Sequence, residues 1–174
     1  MATATHVPVD VYLRSSYEPD AEYVDGEIEE RPMGEYDHAA WQKAILAWFL
    51  RQEQHWNVNA MPELRIQVAA TRFRVPDVTV LDARLPIEQV ISRAPVAVFE
   101  ILSPEDTFVR LRRKLDDYRT MGVPHIWVID PGDGATLKYE GNADAVGNLH
   151  ATSTFEVPEY GISFNMEDIR RLLR

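Results

Sequence analysis

The sequence predicts an α/β protein built on a mixed sheet flanked by helices. Three observations predict it: a hairpin whose turn is Asp25-Gly26, a strand–helix–strand passage over residues 96–130, and several short β-prone runs between them. A strand, a helix and a second strand in this order favour a right-handed parallel crossover, whereas the strands before it can pair antiparallel. Together these elements give a mixed sheet with helices packed against it.

Length and composition are typical of a soluble globular protein. The 174 residues suggest one domain over 1–174, with 45% hydrophobic and 26% charged residues. Cysteine is absent, which excludes disulfides, thiolate metal sites and a cysteine nucleophile. No apolar run approaches the roughly 18 residues of a membrane span. The first residues lack the pattern of a signal peptide, so we expect a cytoplasmic protein with no membrane partner.

The charge balance argues against tight non-specific binding to nucleic acid. Net charge is −10, from 18 basic and 28 acidic residues, and such binding relies on Lys and Arg displacing counterions from phosphates. One basic strip departs from this balance, and its members are Arg110, Arg112, Arg113, Lys114 and Arg119. The strip fits either phosphate contacts or a solvated face balanced by Asp116 and Asp117.

A hairpin and a helix are the first predicted elements. Asp25-Gly26 separates two β-prone runs within 22–28, and both residues tolerate the positive φ that a tight hairpin turn requires. A helix is expected over about 38–52, with Asp37 as its N-cap and apolar residues at helical spacing.

Four strands and a second helix are predicted after that. The strands are 64–69, 77–81, 96–102 and 125–130, and we expect the first three to pair as an antiparallel meander. The helix begins near Ser103 or Asp106 and runs to about Met121, because Gly122 and Pro124 stop it. Strands at 135–139 and 151–155 form a β appendage around a loose loop, and a short helix is expected over 166–173.

Glu100 is the unusual residue of this pattern. It lies inside the apolar run VAVFEIL (96–102), where an unpaired buried carboxylate costs several kcal/mol. If 77–81 pairs antiparallel with this run, Asp77 lies beside Glu100. Two such carboxylates repel each other unless a cation joins them. Mg²⁺, or Mn²⁺ in its place, fits because it takes oxygen ligands, usually one or two carboxylates with waters and a substrate phosphate.

Lys114 is predicted to reach the same place. Leu111, Leu115 and Tyr118 form the apolar stripe of the second helix, and Lys114 lies roughly 60° from its centre. Its stem can be buried while its ammonium group points toward the carboxylates. A metal polarises a phosphoryl oxygen and activates a bound water, and a lysine orients or helps deprotonate that water. Chemistry of this kind hydrolyses phosphodiesters.

Each candidate also has a structural interpretation. Glu27, with Glu22 on the other side of the turn, could add a ligand or a hydrogen bond to the metal-bound water, and His38 could touch the site from the start of its helix. A surface position is the alternative for Glu22 and Glu27, and a polar residue of the first helical turn is the alternative for His38. Glu100 could be a paired acid at a sheet edge. Asp77 could be a capping residue and Lys114 a solvated one.

The motifs resemble those of the PD-(D/E)xK nuclease superfamily and, within it, the Uma-two family of restriction-endonuclease-like proteins. The resemblance is carried by 75–78 (VPDV), 98–103 (VFEILS), 114–118 (KLDDY), 122–130 (GVPHIWVID), 22–28 (EYVDGEI) and His38. These segments span a core of about 20–130. The resemblance implies a restriction-endonuclease-like α/β fold with an N-terminal hairpin and a C-terminal β appendage. It also implies Mg²⁺ and DNA cleavage.

The same resemblance implies a role for each site residue. Asp77 and Glu100 match the metal-binding carboxylates, and the backbone carbonyl of Ile101 matches the third protein ligand. The superfamily's lysine falls two residues after the glutamate, where this chain has Leu102. Uma-two-like sequences share that departure and take the lysine from the following helix, which makes Lys114 the candidate. Many enzymes of this fold class dimerise to cut both strands, so we expect a homodimer.

Three functions remain open at this point. The first is a Mg²⁺-dependent endonuclease that cleaves DNA. The second is a non-catalytic binding or assembly module that retains the nuclease fold, which the net charge and Leu102 favour. The third is a metal-dependent hydrolase of nucleotides or RNA. The distance of the Lys114 ammonium group from Asp77 and Glu100 discriminates between the first two.

Overall fold

A six-stranded mixed sheet lies at the centre of the computed structural model, which describes residues 6–141 and 147–173. The strands are β1 (Ala21–Val24), β2 (Glu27–Glu30), β3 (Val58–Pro62), β4 (Ile66–Ala69), β5 (Arg72–Arg74), β6 (Val78–Asp82), β7 (Ala97–Ile101), β8 (His125–Asp130), β9 (Ala135–Glu140), β10 (Asn148–Ala151), β11 (Thr154–Val157) and β12 (Ile162–Asn165). The helices are α1 (Val9–Arg14), α2 (Tyr36–Trp56), α3 (Phe108–Met121) and α4 (Met166–Arg170).

The central sheet has the strand order β10-β9-β8-β7-β6-β3. Strands β7 and β8 are parallel and are connected through α3, while β6 pairs antiparallel with β7 and β3 with β6. The predicted mixed sheet flanked by helices and the strand–helix–strand crossover are therefore confirmed.

A second, four-stranded sheet has the order β2-β1-β5-β4. Its β1–β2 hairpin turns at Asp25 (φ 51°) and Gly26 (φ 99°), as the Asp-Gly pair predicts. The predicted meander is wrong in its first strand, because the run at 64–69 pairs with β5 in this sheet and not with β6. A turn at Glu63 (φ 51°) separates β3 from that run, so the two enter different sheets.

Both long helices start away from their predicted caps. α2 begins at Tyr36 after Glu35, one residue before the predicted cap Asp37, and it continues to Trp56, where Asn57 in the left-handed region ends it. α3 begins at Phe108, and Thr107 caps it by accepting a hydrogen bond from the Arg110 N–H. A hydroxyl at that position satisfies one of the unpaired N–H groups of the first turn.

The C-terminal part adds one strand pair to the central sheet and a separate hairpin. β10 pairs with β9 at the sheet edge, and β11 pairs with β12. The predicted strand at 151–155 is therefore divided between β10 and β11. The predicted loose loop lies largely outside the described residues, at 142–146.

Side chains of the central strands alternate between two hydrophobic layers. In β7, Val98 belongs to the layer under α3, whereas Phe99 and Ile101 belong to the layer under α2 and α4. Glu100 is therefore on the α3 side of the sheet by the same alternation. None of the described helices combines the length and the apolar composition that crossing a bilayer requires.

Candidate active site

Asp77 and Glu100 lie side by side at one end of the central sheet. The register pairs Val78 with Phe99, which places the preceding Asp77 opposite Glu100. The Asp77 carboxylate accepts a hydrogen bond at 2.7 Å from the backbone N–H of Ile101, and both acids are buried. The prediction that Asp77 lies near residues 100–102 is confirmed.

Lys114 projects from α3 onto Glu100. Its Nζ lies 2.7 Å from Glu100 Oε2, 2.9 Å from Glu22 Oε1 and 3.3 Å from the carbonyl oxygen of Val75. The side chain is largely buried at the border of the apolar stripe, as the helical spacing predicts. The ammonium group therefore reaches the acid that the sequence singles out.

Tyr118 holds the other oxygen of Glu100. Its hydroxyl donates a hydrogen bond of 2.6 Å to Glu100 Oε1 from one turn farther along α3. The sequence placed Tyr118 only in the apolar stripe, because a tyrosine ring packs like any aromatic and its hydroxyl gives no periodic signal. Both oxygens of Glu100 thus have a partner on α3.

Glu22 joins the site from the second sheet. Its carboxylate accepts from the backbone N–H of Val75 at 2.9 Å and forms an ion pair with Arg74 at 2.9 Å, in addition to Lys114. The sequence gave Glu22 and Glu27 equal weight, and the burial of the two residues decides between them. Glu22 faces inward, whereas Glu27 is exposed at the start of β2 and does not line the site.

Arg74 is buried behind Glu22. Its guanidinium group lies 2.9 Å from Glu22, 2.7 Å from Asp117 and 3.0 Å from Glu29. Arg72 adds a second contact to Asp117, at 2.9 Å. This group of charges joins the four-stranded sheet to α3 and fixes the orientation of Glu22 toward Lys114.

Asp77 carries two basic partners on its other side. His38, near the start of α2, places Nε2 3.2 Å from Asp77 Oδ1, and Arg31 places a guanidinium nitrogen 2.6 Å from the same oxygen. Gln42, one turn along α2, donates to the Asp77 carbonyl at 2.9 Å. His38 therefore touches the predicted site, whereas no sequence pattern had singled out Arg31.

The charges of this site shift one another's pKa values. Burial, reinforced by the carboxylates of Asp77 and Glu22, raises the pKa of Glu100 to about 7 against the opposing effect of Lys114. Burial also opposes ionisation of Asp77, but the hydrogen bond from His38 and the charges of Lys114 and Arg31 outweigh it and lower its pKa. Burial disfavours the Lys114 ammonium, yet Glu100 and Glu22 raise its pKa above the ordinary value.

These groups line a small polar pocket of about 40 Å³. The carboxylate oxygens of Asp77 and Glu100 are the hard donors that Mg²⁺ or Mn²⁺ takes. Ile101, the expected carbonyl ligand, also lines the pocket. Within the described ranges, no three His, Cys, Asp or Glu side chains form a metal cage. The donor set fits an ion that keeps waters and substrate oxygens in its coordination shell.

The basic strip of α3 is paired with acids. Arg113 contacts Glu29 and Arg110 donates to the carbonyl of Glu30, while Arg112 and Arg119 lie 3.6 and 3.1 Å from Asp116. The interpretation of the strip as a face balanced by acids is therefore favoured, with Asp116 and Glu29 as the acids. Asp117, the other acid predicted to balance it, pairs instead with Arg72 and Arg74 of β5.

A mixed sheet that presents two carboxylates and a helix-borne lysine in one pocket defines a protein of nuclease-like fold. The chain belongs to the Uma2 family, described as "Putative restriction endonuclease", whose profile matches residues 9–160. The resemblance drawn from the motifs is thereby confirmed. No curated protein matches the chain significantly.

One solved structure shares the fold of this chain. A protein from Anabaena variabilis ATCC 29413, described as a "putative nuclease belonging to DUF820", has a TM-score of 0.78 at 22% identity and covers 96% of this chain and 100% of its own. The DrdV–DNA complex has a TM-score of 0.42 at 16% identity, over 78% of this chain and 11% of that one, a likeness too weak to assign a function.

Proposed function

We propose that the protein is a divalent-metal-dependent endonuclease that hydrolyses phosphodiester bonds of DNA. The observation that carries the proposal is the position of Lys114, whose ammonium group lies 2.7 Å from Glu100 in the pocket that Asp77 also lines. Hydrolysis of a phosphodiester needs a cation at that place, to orient a water or to stabilise negative charge on the phosphate. The family description supports the same activity.

Asp77 and Glu100 would hold Mg²⁺ or Mn²⁺, with the Ile101 carbonyl as the expected third ligand. Bound there, the ion would supply Lewis-acid polarisation of the phosphoryl oxygen and a lowered pKa for its water. The net reaction adds one water across a P–O bond and yields a phosphate monoester and an alcohol.

Lys114 acts in this proposal as a hydrogen-bond donor. Glu100 and Glu22 keep its ammonium group charged, because both raise its pKa. An ammonium group orients a water or stabilises negative charge on a phosphate, and it has no free lone pair with which to take a proton. The sequence left two roles open for this lysine, orientation and deprotonation of the water. We assign orientation, and we add stabilisation of negative charge on the phosphate.

His38 acts as a positioning residue for Asp77. Its Nε2 lies 3.2 Å from Asp77 Oδ1. The hydrogen bond with Asp77 raises the pKa of His38 despite the opposing effect of burial. A carboxylate held by hydrogen bonds keeps the orientation that a bound cation needs.

A non-catalytic module remains the second candidate, and the pairing of the basic strip favours it. A duplex backbone is bound through cations that are free to replace counterions, and Arg113 and Arg112 are paired with Glu29 and Asp116. This candidate predicts an intact fold with no cleavage under any metal condition.

The test is a cleavage panel with the purified protein. Supercoiled plasmid, linear duplex, single-stranded DNA and RNA are each incubated with Mg²⁺, Mn²⁺ or a chelator. We expect DNA cleavage that the chelator abolishes and that Glu100→Gln, Asp77→Asn and Lys114→Met each reduce by about 100-fold or more. Light scattering of the same samples tests the expected homodimer.

Arg84→Ala is the matched control, because Arg84 pairs with Asp82 at the opposite end of β6 and lies away from the pocket. Its cleavage rate should equal that of the unmodified protein. A protein that cuts no nucleic acid with either metal, and binds neither in calorimetry, refutes the proposal. Cleavage of RNA alone would replace DNA by RNA as the substrate class.

A further inference from the structure

Arg31 is a largely buried guanidinium at the edge of the candidate active site. It follows β2 directly, and its backbone N–H donates to the carbonyl of Asp20 at 3.3 Å, which extends the hairpin by one residue. Its side chain is 11% exposed, and one nitrogen lies 2.6 Å from Asp77 Oδ1. Burial of a cation at this position is tolerated because Asp77 neutralises it.

The contacts of Arg31 differ from those of the other long basic side chains that line the described pocket. Lys114 is held by two carboxylates and a carbonyl, and Arg110 donates to the carbonyl of Glu30 on the hairpin. The second acid near Arg31 is Glu63, at 3.4 Å, and the Glu63 side chain is 44% exposed. Arg31 is therefore held chiefly by Asp77, one of the two residues proposed to bind the metal.

The Asp77 carboxylate cannot bind the Arg31 guanidinium and a divalent cation tightly at the same time. Its Oδ2 accepts the Ile101 N–H at 2.7 Å, and its Oδ1 faces both Arg31 and His38. A Mg²⁺ ligand oxygen lies about 2.1 Å from the ion. An ion on Asp77 would then repel a guanidinium bound to the same carboxylate.

A second place for the guanidinium lies next to the pocket. Arg31 also lines an adjoining cleft of about 300 Å³, together with Tyr17, Asp20, Met33 and Glu63. The planar fork of an arginine fits two oxygens of a phosphate, which a lysine does not match. Glu18, Asp20 and Glu63 also line this cleft, so the phosphate is expected not inside the cleft but at the mouth of the small polar pocket, which Arg31 lines together with His38, Arg110 and Lys114.

We propose that Arg31 is a substrate-binding residue that changes partner: it neutralises Asp77 in the metal-free protein, then releases Asp77 to a divalent cation and binds a phosphate of the substrate strand. The proposal rests on the proposed function, because it requires the metal site at Asp77. Metal binding to Asp77 releases Arg31 for the phosphate, and phosphate binding to Arg31 releases Asp77 for the metal. The metal and the phosphodiester therefore strengthen each other's binding. Arg31 adds this coupling to the one that arises when substrate oxygens enter the coordination shell of the ion.

The test measures Mn²⁺ binding to the full chain by calorimetry, with and without an oligodeoxynucleotide that carries phosphorothioate linkages. For the unmodified protein, we expect the oligonucleotide to tighten Mn²⁺ binding roughly tenfold. For Arg31→Met, Mn²⁺ alone should bind roughly tenfold more tightly, because the competing charge is gone. The oligonucleotide should then tighten Mn²⁺ binding by clearly less than it does in the unmodified protein, because only direct coordination of the ion by substrate oxygens still couples the two ligands.

Two further variants separate charge from shape. Arg31→Lys keeps the charge and loses the fork, so Mn²⁺ affinity should stay near that of the unmodified protein while oligonucleotide binding weakens. Arg84→Ala removes the equivalent arginine–aspartate pair at the far end of β6 and should change neither affinity. Thermal unfolding of each variant confirms that the fold is retained.

The outcomes also separate this proposal from the proposed function. Suppose that the unmodified protein binds Mn²⁺ and cleaves DNA. If the folded variants Arg31→Met and Arg31→Lys keep the affinities of the unmodified protein for Mn²⁺ and for the oligonucleotide, Arg31 is a structural counter-ion and only this proposal fails. The same conclusion follows if Arg31→Met binds Mn²⁺ more weakly. If the unmodified protein neither binds Mn²⁺ nor cleaves, both proposals fail together.

Discussion

Replacing Arg74 with methionine tests how strongly the buried charges hold the two sheets and the site together. Arg74 is 0% exposed and forms ion pairs with Glu22, Asp117 and Glu29. Methionine keeps most of the volume and removes the charge, so the perturbation is electrostatic and not a cavity. In this variant, Glu22 retains only its ion pair with Lys114. Asp117 retains only its ion pair with Arg72, so both acids are only partly neutralised.

The expected loss is large for a single substitution. Removing one partner of a buried ion pair costs about 3–5 kcal/mol, because the remaining charge stays buried without full compensation. For a chain of 174 residues, each kcal/mol lowers Tm by about 2–4 °C, which gives a decrease of about 6–20 °C. We also expect weaker cleavage, because Glu22 no longer holds Lys114 in place.

Urea unfolding followed by circular dichroism measures the effect, and an unchanged m-value shows that the transition still exposes the same surface. Arg84→Ala is again the comparison, since its ion pair is 63% exposed on the arginine side and should contribute no more than about 1 kcal/mol. A loss below 1 kcal/mol for Arg74→Met would show that the buried pairs only offset their own desolvation, and the reasoning would be refuted.

Two further predictions concern the cap of α3 and a buried histidine. Thr107→Ala removes the hydroxyl that accepts a hydrogen bond from the Arg110 N–H at 3.3 Å. It should lower the free energy of unfolding, measured by urea titration, by about 1 kcal/mol. Thr107→Ser keeps a hydroxyl and should retain the stability of the unmodified protein. Burial lowers the pKa of His125 although its hydrogen bond to Glu159 opposes the shift. The unfolded chain therefore takes up a proton below pH ~6.5 while the folded protein does not, so the free energy of unfolding falls as pH decreases from there through the folded pKa. His125→Phe should flatten that decrease in urea titrations between pH 5 and 7, and an unchanged slope would contradict the assignment.

Much of the site follows from local pattern and simple pairing rules. The apolar runs around Glu100 and His125 mark adjacent buried strands, and the helix between them requires a parallel crossover. Antiparallel pairing then brings Asp77 to Glu100 without any knowledge of the rest of the chain. The helical period places Lys114 at the edge of a buried face, from which its ammonium group reaches Glu100.

The parts that escape the sequence depend on contacts between distant segments. The second sheet pairs β1 with β5, so the inward direction of Glu22 depends on a strand about fifty positions later. Arg74 belongs to a three-residue strand and is indistinguishable in sequence from a solvated arginine. Arg31 follows a strand end and has no periodic neighbours, so its contact with Asp77 emerges only when both sheets are assembled.

The contact between Glu22 and Lys114 has a consequence for the order of folding. The two residues are joined only after β1 has paired with β5 and α3 has docked, and such non-local contacts form late because long loops must close first. During synthesis, the hairpin leaves the ribosome well before Arg74 and Lys114, the charged partners of its Glu22. A nascent or truncated chain therefore carries Asp77 and Glu100 without a positioned lysine. Under the proposed function, hydrolysis would therefore be confined to the fully assembled protein.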